Sequence, residues 1–133
     1  MTRSQEREQA FVLLFEKSFN SEADPARLAE MAYETEVLEK SDFTQELFFK
    51  ACDNLEDIDS VISRFAKGRS FSRISKVSLA ALRLAVCEIK YFDEIPVGVS
   101  INEAVEICKK YASEDEYSFV NGLLGNAVRS GEV

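Results

Sequence analysis

The chain has 133 residues, of which 46% are hydrophobic and 30% charged, with only five glycines and two prolines; this composition excludes a disordered chain, a collagen and a Gly/Pro-rich all-β scaffold. It contains no histidine and no glycine-rich phosphate loop. The missing histidine rules out Ser-His and Cys-His nucleophile pairs, so we expect neither an enzyme nor a cofactor or metal site. The formal net charge of −8 argues against a protein that binds nucleic acid unaided, because phosphates repel an acidic body.

The first predicted helix covers residues 3–19 and is apolar on more than one side. Six consecutive apolar residues, Ala10 to Phe15, go all the way round a helix. Phe11, Phe15 and Phe19 align on one face at intervals of four residues. An apolar face that remains after packing indicates a partner surface; a helix buried on two sides is the alternative.

Two arginines precede this apolar run on the same helix. Arg3 and Arg7 are one turn apart and therefore lie on the same side of the helix. With an aromatic side chain nearby, two such arginines can bind phosphates and stack on unpaired bases.

Two or three further helices are predicted before residue 68. Asp24 and Pro25 are typical of a helix start and predict a helix over 25–38. The next helix begins at Ser41 and Asp42 and carries helical apolar spacing as far as Phe65, with a break expected near Asn54. Lys67 and Gly68 then indicate a helix end.

The central helix is predicted over residues 76–92, after a short basic linker at 69–75, with Ser75 as its N-cap. It is apolar on most sides, so we expect it to lie in the middle of the fold. Arg83 is the exception in this run. We expect Arg83 to be buried and paired with a carboxylate rather than to contact a ligand.

The last two helices are predicted from their caps. Ser100 and Glu103 match a capping box and predict a helix over 101–112. Ser113 is the expected N-cap of the final helix, which carries acidic residues in its first turn. No segment has the alternation of a strand, so the predicted class is all-α.

Charge is distributed unevenly along the chain. Residues 29–59 hold ten acidic residues and two lysines, whereas residues 60–87 hold six basic residues and no acidic ones. An acidic region could face a basic partner while the basic region faces an anion. An alternative of equal weight is that both regions are solvated helix faces.

The cysteines and the N-terminus bear on localisation. The chain has three cysteines that form no C-x-x-C motif, and its charged N-terminus has no signal-peptide pattern. These features predict a cytoplasmic protein without membrane segments.

Several motifs of the second half occur in an order and spacing that resembles the NusB family of transcription antitermination factors. They are Ala81-Leu82-Arg83-Leu84-Ala85, Glu88-Ile89, Ile95-Pro96, the run from Ser100 to Tyr111, and Phe119 to Leu124. The first half is also similar, through Arg7, Ala10, Leu14, Phe15, Ile58-Asp59, Ile62 and Phe71 to Ile74. The resemblance covers essentially the whole chain. It departs at Phe71, where relatives often have tryptophan, and at Phe15, where tyrosine is common.

The resemblance implies about seven helices in two small bundles, an N-terminal one in residues 1–70 and a C-terminal one in 71–133, within one compact unit. It implies pairing with the small-subunit ribosomal protein NusE and joint binding of boxA in nascent ribosomal RNA leaders. Other antitermination factors and RNA polymerase would be contacted indirectly, in support of ribosomal RNA synthesis. A basic partner would offset the acidity of this chain.

By the same resemblance, the RNA-binding residues would be Arg3, Arg7, Ser118 and Phe119. The family fold is expected to bring the first turn of the last helix, with Ser118 and Phe119, close to the two arginines. The partner-binding residues would be Phe15 and Asp115. The alternative function is a helical protein–protein adaptor without significant RNA affinity, since the acidic Glu6 and Glu8 flank Arg7 on this helix. Whether the free protein forms a homodimer stays open.

Overall fold

The computed structural model describes all residues from Met1 to Val133 and contains seven α-helices and no strand. The helices are α1 (Arg3–Phe19), α2 (Pro25–Glu34), α3 (Asp42–Asp53), α4 (Leu55–Phe65), α5 (Lys76–Tyr91), α6 (Val97–Tyr111) and α7 (Glu114–Ser130), with a single 3-10 turn at Phe71–Arg73. The predicted all-α class and the helix number are confirmed. None of the seven helices combines the length and the apolarity that a membrane crossing requires.

Helix α5 is the centre of the fold, as its apolar sequence predicts. Every residue from Ser78 to Glu88 is buried, and α1, α3, α4, α6 and α7 all pack against it. The buried apolar residues form one continuous core that extends from Ala10 in α1 to Ala127 in α7. The division into subdomains at residues 70 and 71 stays a prediction.

The buried pair predicted for Arg83 is present. Its Nε and Nη2 atoms each donate a hydrogen bond of 2.8 Å to a different carboxylate oxygen of Asp59. The pair joins α5 to α4 in bidentate geometry, which is the strong form of an arginine–carboxylate contact.

The helix starts agree with the sequence where a side chain caps the helix. Thr2 and Gln5 form a capping box at the start of α1, and Asp24, Ser41 and Ser75 accept hydrogen bonds from the first turns of α2, α3 and α5. The predicted break at Asn54 separates α3 from α4.

Helix α2 ends earlier than predicted. Glu36 adopts a φ of 59°, in the left-handed region, and the backbone N–H groups of Val37 and Leu38 both donate to the carbonyl of Ala32. This closure ends the helix at Glu34 instead of residue 38. Nothing in the apolar spacing signals it, because Leu38 still packs against the core from its non-helical position.

Helix α6 begins earlier than predicted, and the capping box at Ser100 and Glu103 is wrong. Pro96 occupies the N-cap position and the helix begins at Val97, since proline is well suited to a helix start, where no backbone donor is lost. Ser100 and Glu103 therefore lie within the helix, where their side chains are free to contact neighbouring helices.

Candidate nucleic-acid and partner interface

Arg3 is an exposed arginine stacked on an aromatic ring. Its Cζ atom lies 3.9 Å from the centroid of the Phe43 ring, and its Nη1 atom lies 3.4 Å from Glu6 Oε1. The side chain is 56% exposed. It borders a cleft of about 480 Å³ that is lined by Arg3, Arg7, Asp42, Phe43, Glu46, Glu94 and Ile95. Arg3 can therefore meet a ligand directly, although three acidic side chains line the same cleft.

Arg7 has a different environment, although it lies one turn away on the same helix. Its side chain is only 6% exposed, its Nε atom donates a 2.6 Å hydrogen bond to Glu88 Oε2, and its Nη1 atom lies 3.5 Å from Glu103 Oε1. Ser100 donates to the other oxygen of Glu88 at 2.8 Å. The guanidinium is thus engaged inside the protein, and a direct RNA contact from it stays a prediction.

The buried network around Arg7 contains two residues that sequence analysis missed. Glu88 and Glu103 join α5 and α6 to α1, and Ser4 also donates to Glu103 at 2.7 Å. Glu88 could have been found by the argument used for Arg83, because it is the one acidic residue within an apolar helix. Glu103 could not, since its capping-box pattern concealed its tertiary role.

Phe119, in α7, also lies under an arginine. This pair is near the start of α5, whereas the Arg7–Glu88 pair is near its end. The Cζ atom of Arg69 is 3.9 Å from the centroid of the Phe119 ring. Arg69 Nη1 also donates to both oxygens of Glu116, at 3.2 and 3.1 Å. Phe119 is half-buried and Ser118 is exposed beside it. The ring is a stacking surface on which one face already carries a cation.

Glu116 fixes the start of α7 against the start of α5. Its Oε1 atom accepts hydrogen bonds from Ser75 at 2.8 Å and from Ser78 at 2.9 Å, in addition to the contact with Arg69. Burial favours the protonated acid, but these hydrogen bonds and the guanidinium charge outweigh it, so the pKa of Glu116 lies below its ordinary value. The neighbouring Asp115 is exposed and has no ion-pair partner.

The two groups of predicted RNA-binding residues lie beside different turns of α5. Arg7 pairs with Glu88 near the end of α5, whereas Ser78 near its start contacts Glu116, one turn before Phe119. Ten residues of helix separate these two contacts on α5, which is about 15 Å. The expectation that the fold places the first turn of α7 near Arg3 and Arg7 stays a prediction, because Tyr111, three residues before α7, also contacts Glu8, the neighbour of Arg7.

The aromatic face predicted on α1 is present. Phe15 packs 6.2 Å from Phe11 and 5.0 Å from Phe19, measured between ring centroids, and Phe19 is 65% exposed. A shallow apolar groove of about 100 Å³ is lined by Phe11, Val12, Phe15, Val77 and Tyr111. Phe11 is buried, so this helix is both a core element and a surface.

Tyr111 closes one side of this groove and is held by a charged cluster. Its hydroxyl donates to Glu8 Oε2 at 2.5 Å, and Lys110 Nζ donates to the same oxygen at 2.8 Å. Burial raises the pKa of Glu8, but the two hydrogen bonds prevail and the pKa lies below its ordinary value. Since Val77 and Ser78 both belong to the first turn of α5, Phe15 and the first turn of α7 border the same end of that helix.

Known proteins that resemble this chain belong to one family. The model of the NusB family matches residues 4–129. The chain belongs to the NusB family. It is 42% identical over 134 residues to the transcription antitermination protein NusB of Clostridium acetobutylicum, covering 99% of this chain and 98% of that protein. With the protein of the same name from Finegoldia magna it shares 35% identity over 133 residues, covering 99% and 97% of the two chains.

A solved structure of the family shows the same fold with partners bound. This NusB-family chain superposes on a chain of the crystal structure of antitermination factors NusB and NusE in complex with double-stranded RNA. The TM-score is 0.85 with 28% identity, and the alignment covers 96% of each chain. In that related assembly, a NusB fold occurs together with both a protein partner and RNA.

Proposed function

We propose that this NusB-family chain is an RNA-binding antitermination factor that acts with NusE on boxA of nascent ribosomal RNA leaders. The observation that carries the proposal is the full-length match to a NusB fold crystallised with NusE and RNA. Other antitermination factors and RNA polymerase are contacted through this assembly rather than by the isolated chain.

The aromatic face of α1 supports NusE as the protein partner. Phe15 and Phe19 present apolar surface beside the groove at Val77, and exposed aromatic residues of this kind form the centres of protein interfaces. Asp115, with its carboxylate unpaired, borders the same end of α5 and suits a basic partner. In the absence of NusE, this face is also the natural surface for a homodimer.

Two arginine–aromatic pairs support RNA as the second ligand. Arg3 over Phe43 and Arg69 over Phe119 each combine a cation with a flat ring, the combination that holds backbone and bases of unpaired nucleic acid. Because the chain has a net charge of −8, we expect tight binding only with the basic partner present, and each ligand then strengthens the other.

The experiment is fluorescence anisotropy with labelled boxA RNA, measured with and without saturating NusE. We expect binding that tightens when NusE is added, weakens with salt and is lost for a scrambled sequence of equal length. A duplex of the same sequence is included because the related complex contains double-stranded RNA. NusE binding without any RNA signal would overturn the proposal.

That last result would favour the second candidate, a helical adaptor without RNA affinity. The observation behind it is that Arg7 and Arg69 already hold carboxylates, which leaves their charges compensated within the protein. In that case the aromatic face of α1 would carry the whole function.

A further inference from the structure

The segment from Lys67 to Lys76, called here the basic connector, follows α4 and ends at the first residue of α5. Its ten residues include four basic residues, three serines and no acidic residue. It lies within the stretch 60–87 that lacks acidic residues altogether. The proposed function uses only Arg69 from this segment, so the other cations still require an explanation.

Three of the four connector cations are uncompensated. Lys67 and Arg73 are exposed and make no ion pair, whereas the flanking Arg64 pairs with Glu132 at 2.9 Å and Arg69 pairs with Glu116. Lys76 is also exposed, and its Nζ atom donates only to the carbonyl oxygen of Ser18. In a protein with net charge −8, this is a local surplus of positive charge.

The connector lies directly beside the aromatic ring at the start of α7. Arg69 covers Phe119, and Ser75 donates to Glu116 at 2.8 Å. At its other end, Lys76 Nζ is 5.7 Å from the centroid of the exposed Phe19 ring on α1. The connector therefore runs from the proposed RNA-stacking surface to the proposed partner surface.

The chemistry of the connector suits a nucleic-acid backbone. Lys67 and Arg73 supply charge for phosphates. The exposed hydroxyls of Ser70 and Ser72 lie 3.4 Å apart and share one hydrogen bond, which leaves one hydroxyl of the pair as a donor to a ligand. An acidic protein segment would need the same cations but no adjacent aromatic ring, whereas unpaired RNA uses both.

We infer that the basic connector binds the backbone of single-stranded RNA that continues past the base stacked on Phe119, toward the partner surface. This inference rests on the proposed function and extends it, because it assigns a second set of phosphate contacts that the family resemblance did not supply. The connector then contributes to the affinity for longer RNAs and is not needed for the binding of short ones.

The test compares two RNAs that share boxA, one limited to about six nucleotides and one extended to about sixteen, within the range of single-strand site sizes. The protein carries Lys67→Gln and Arg73→Gln, and NusE is present at saturation. On single strands each lost phosphate contact lowers the salt slope by about 0.7, which is roughly a fivefold loss of affinity per contact at 0.1 M salt. For the long RNA we expect a slope lower by about 1.4 and an affinity lower by about 25-fold, with little change for the short RNA.

The matched control carries Lys40→Gln and Lys50→Gln, which changes the net charge equally within the acidic region 29–59. Both lysines are exposed and unpaired, so the control reports the general electrostatic effect alone. Circular dichroism melting confirms that both proteins are folded. An equal loss in the control, an equal loss on the short RNA, or a loss of NusE binding instead of RNA binding would each overturn the inference.

Wild-type affinity of the connector variant for the long RNA would also overturn the inference while leaving the proposed function intact, provided that the unaltered protein binds boxA. Failure of the unaltered protein to bind any boxA RNA with NusE would overturn the proposed function as well. The two failures are thus distinguishable in one set of titrations.

Discussion

The two ends of α5 carry the same arrangement in opposite electrostatic surroundings. At each end an arginine lies 3.9 Å above a phenylalanine ring, Arg3 over Phe43 and Arg69 over Phe119. Around Arg3, the cleft is lined by three acidic residues, namely Asp42, Glu46 and Glu94. Around Arg69, the connector supplies unpaired cations. An arginine–aromatic pair alone therefore does not define an anion site, and the charges of the surrounding segments decide its use.

The largest expected effect is a loss of stability on breaking the buried network around Arg7. Glu88→Ala leaves the Arg7 guanidinium buried beside only Glu103, which is 3.5 Å away. Because an unpaired buried charge is very unfavourable, we expect the free energy of unfolding in urea to fall by about 3–5 kcal/mol.

The matched control is Asp59→Ala at the Arg83 pair. The Asp59 side chain is 25% exposed, against 1% for Glu88, so water reaches that pair and the loss should be smaller. If Glu88→Ala lowers the free energy of unfolding no more than Asp59→Ala does, Arg7 is hydrated and available to RNA.

Next in size is the partner face at the start of α5. Phe15→Asp places a charge among Phe11, Phe19 and Val77, and we expect NusE affinity to fall by about 2–4 kcal/mol, as for a central interface residue. Isothermal titration calorimetry measures the loss, and circular dichroism checks the fold. Unfolding of this variant would instead show that Phe15 is needed for the core.

The third prediction separates the two arginine–aromatic pairs directly. Phe119→Ala should weaken boxA binding by about 1–3 kcal/mol with little change in salt slope, because base stacking is lost. Arg3→Ala should lower the salt slope by about 0.7 and weaken binding less. Anisotropy titrations over a range of salt concentrations measure both, and equal slopes in the two variants would remove the distinction between the two ends.

The smallest effect concerns pH. The pKa of Glu116 is lowered in the folded protein, so its ionised form contributes stability that is fully present above the ordinary pKa of 4.5 and is lost as the pH falls through the folded value. Thermal melts from pH 7 to pH 3 should show a smaller acid-induced loss for Glu116→Gln than for the unaltered protein. Parallel profiles for the two proteins would contradict this assignment.

The all-α class could be predicted from sequence patterns alone, as could the central position of α5, most helix starts and the buried pair of Arg83. These follow from local patterns, because apolar spacing and capping side chains act within a few residues of each other. The resemblance to the NusB family was also legible in the sequence and is borne out by the family match over residues 4–129.

Which side chains face water depends on how the helices pack against each other. Arg3 and Arg7 are equivalent by helical spacing, yet the first is exposed and the second is buried by carboxylates from α5 and α6, more than eighty residues away in the chain for Glu88. Likewise, Ser100 and Glu103 have a capping pattern but belong to a network between helices. The physical reason is that a local pattern fixes the face of a helix on which a residue lies, whereas its burial and charge partners depend on which other helix packs there.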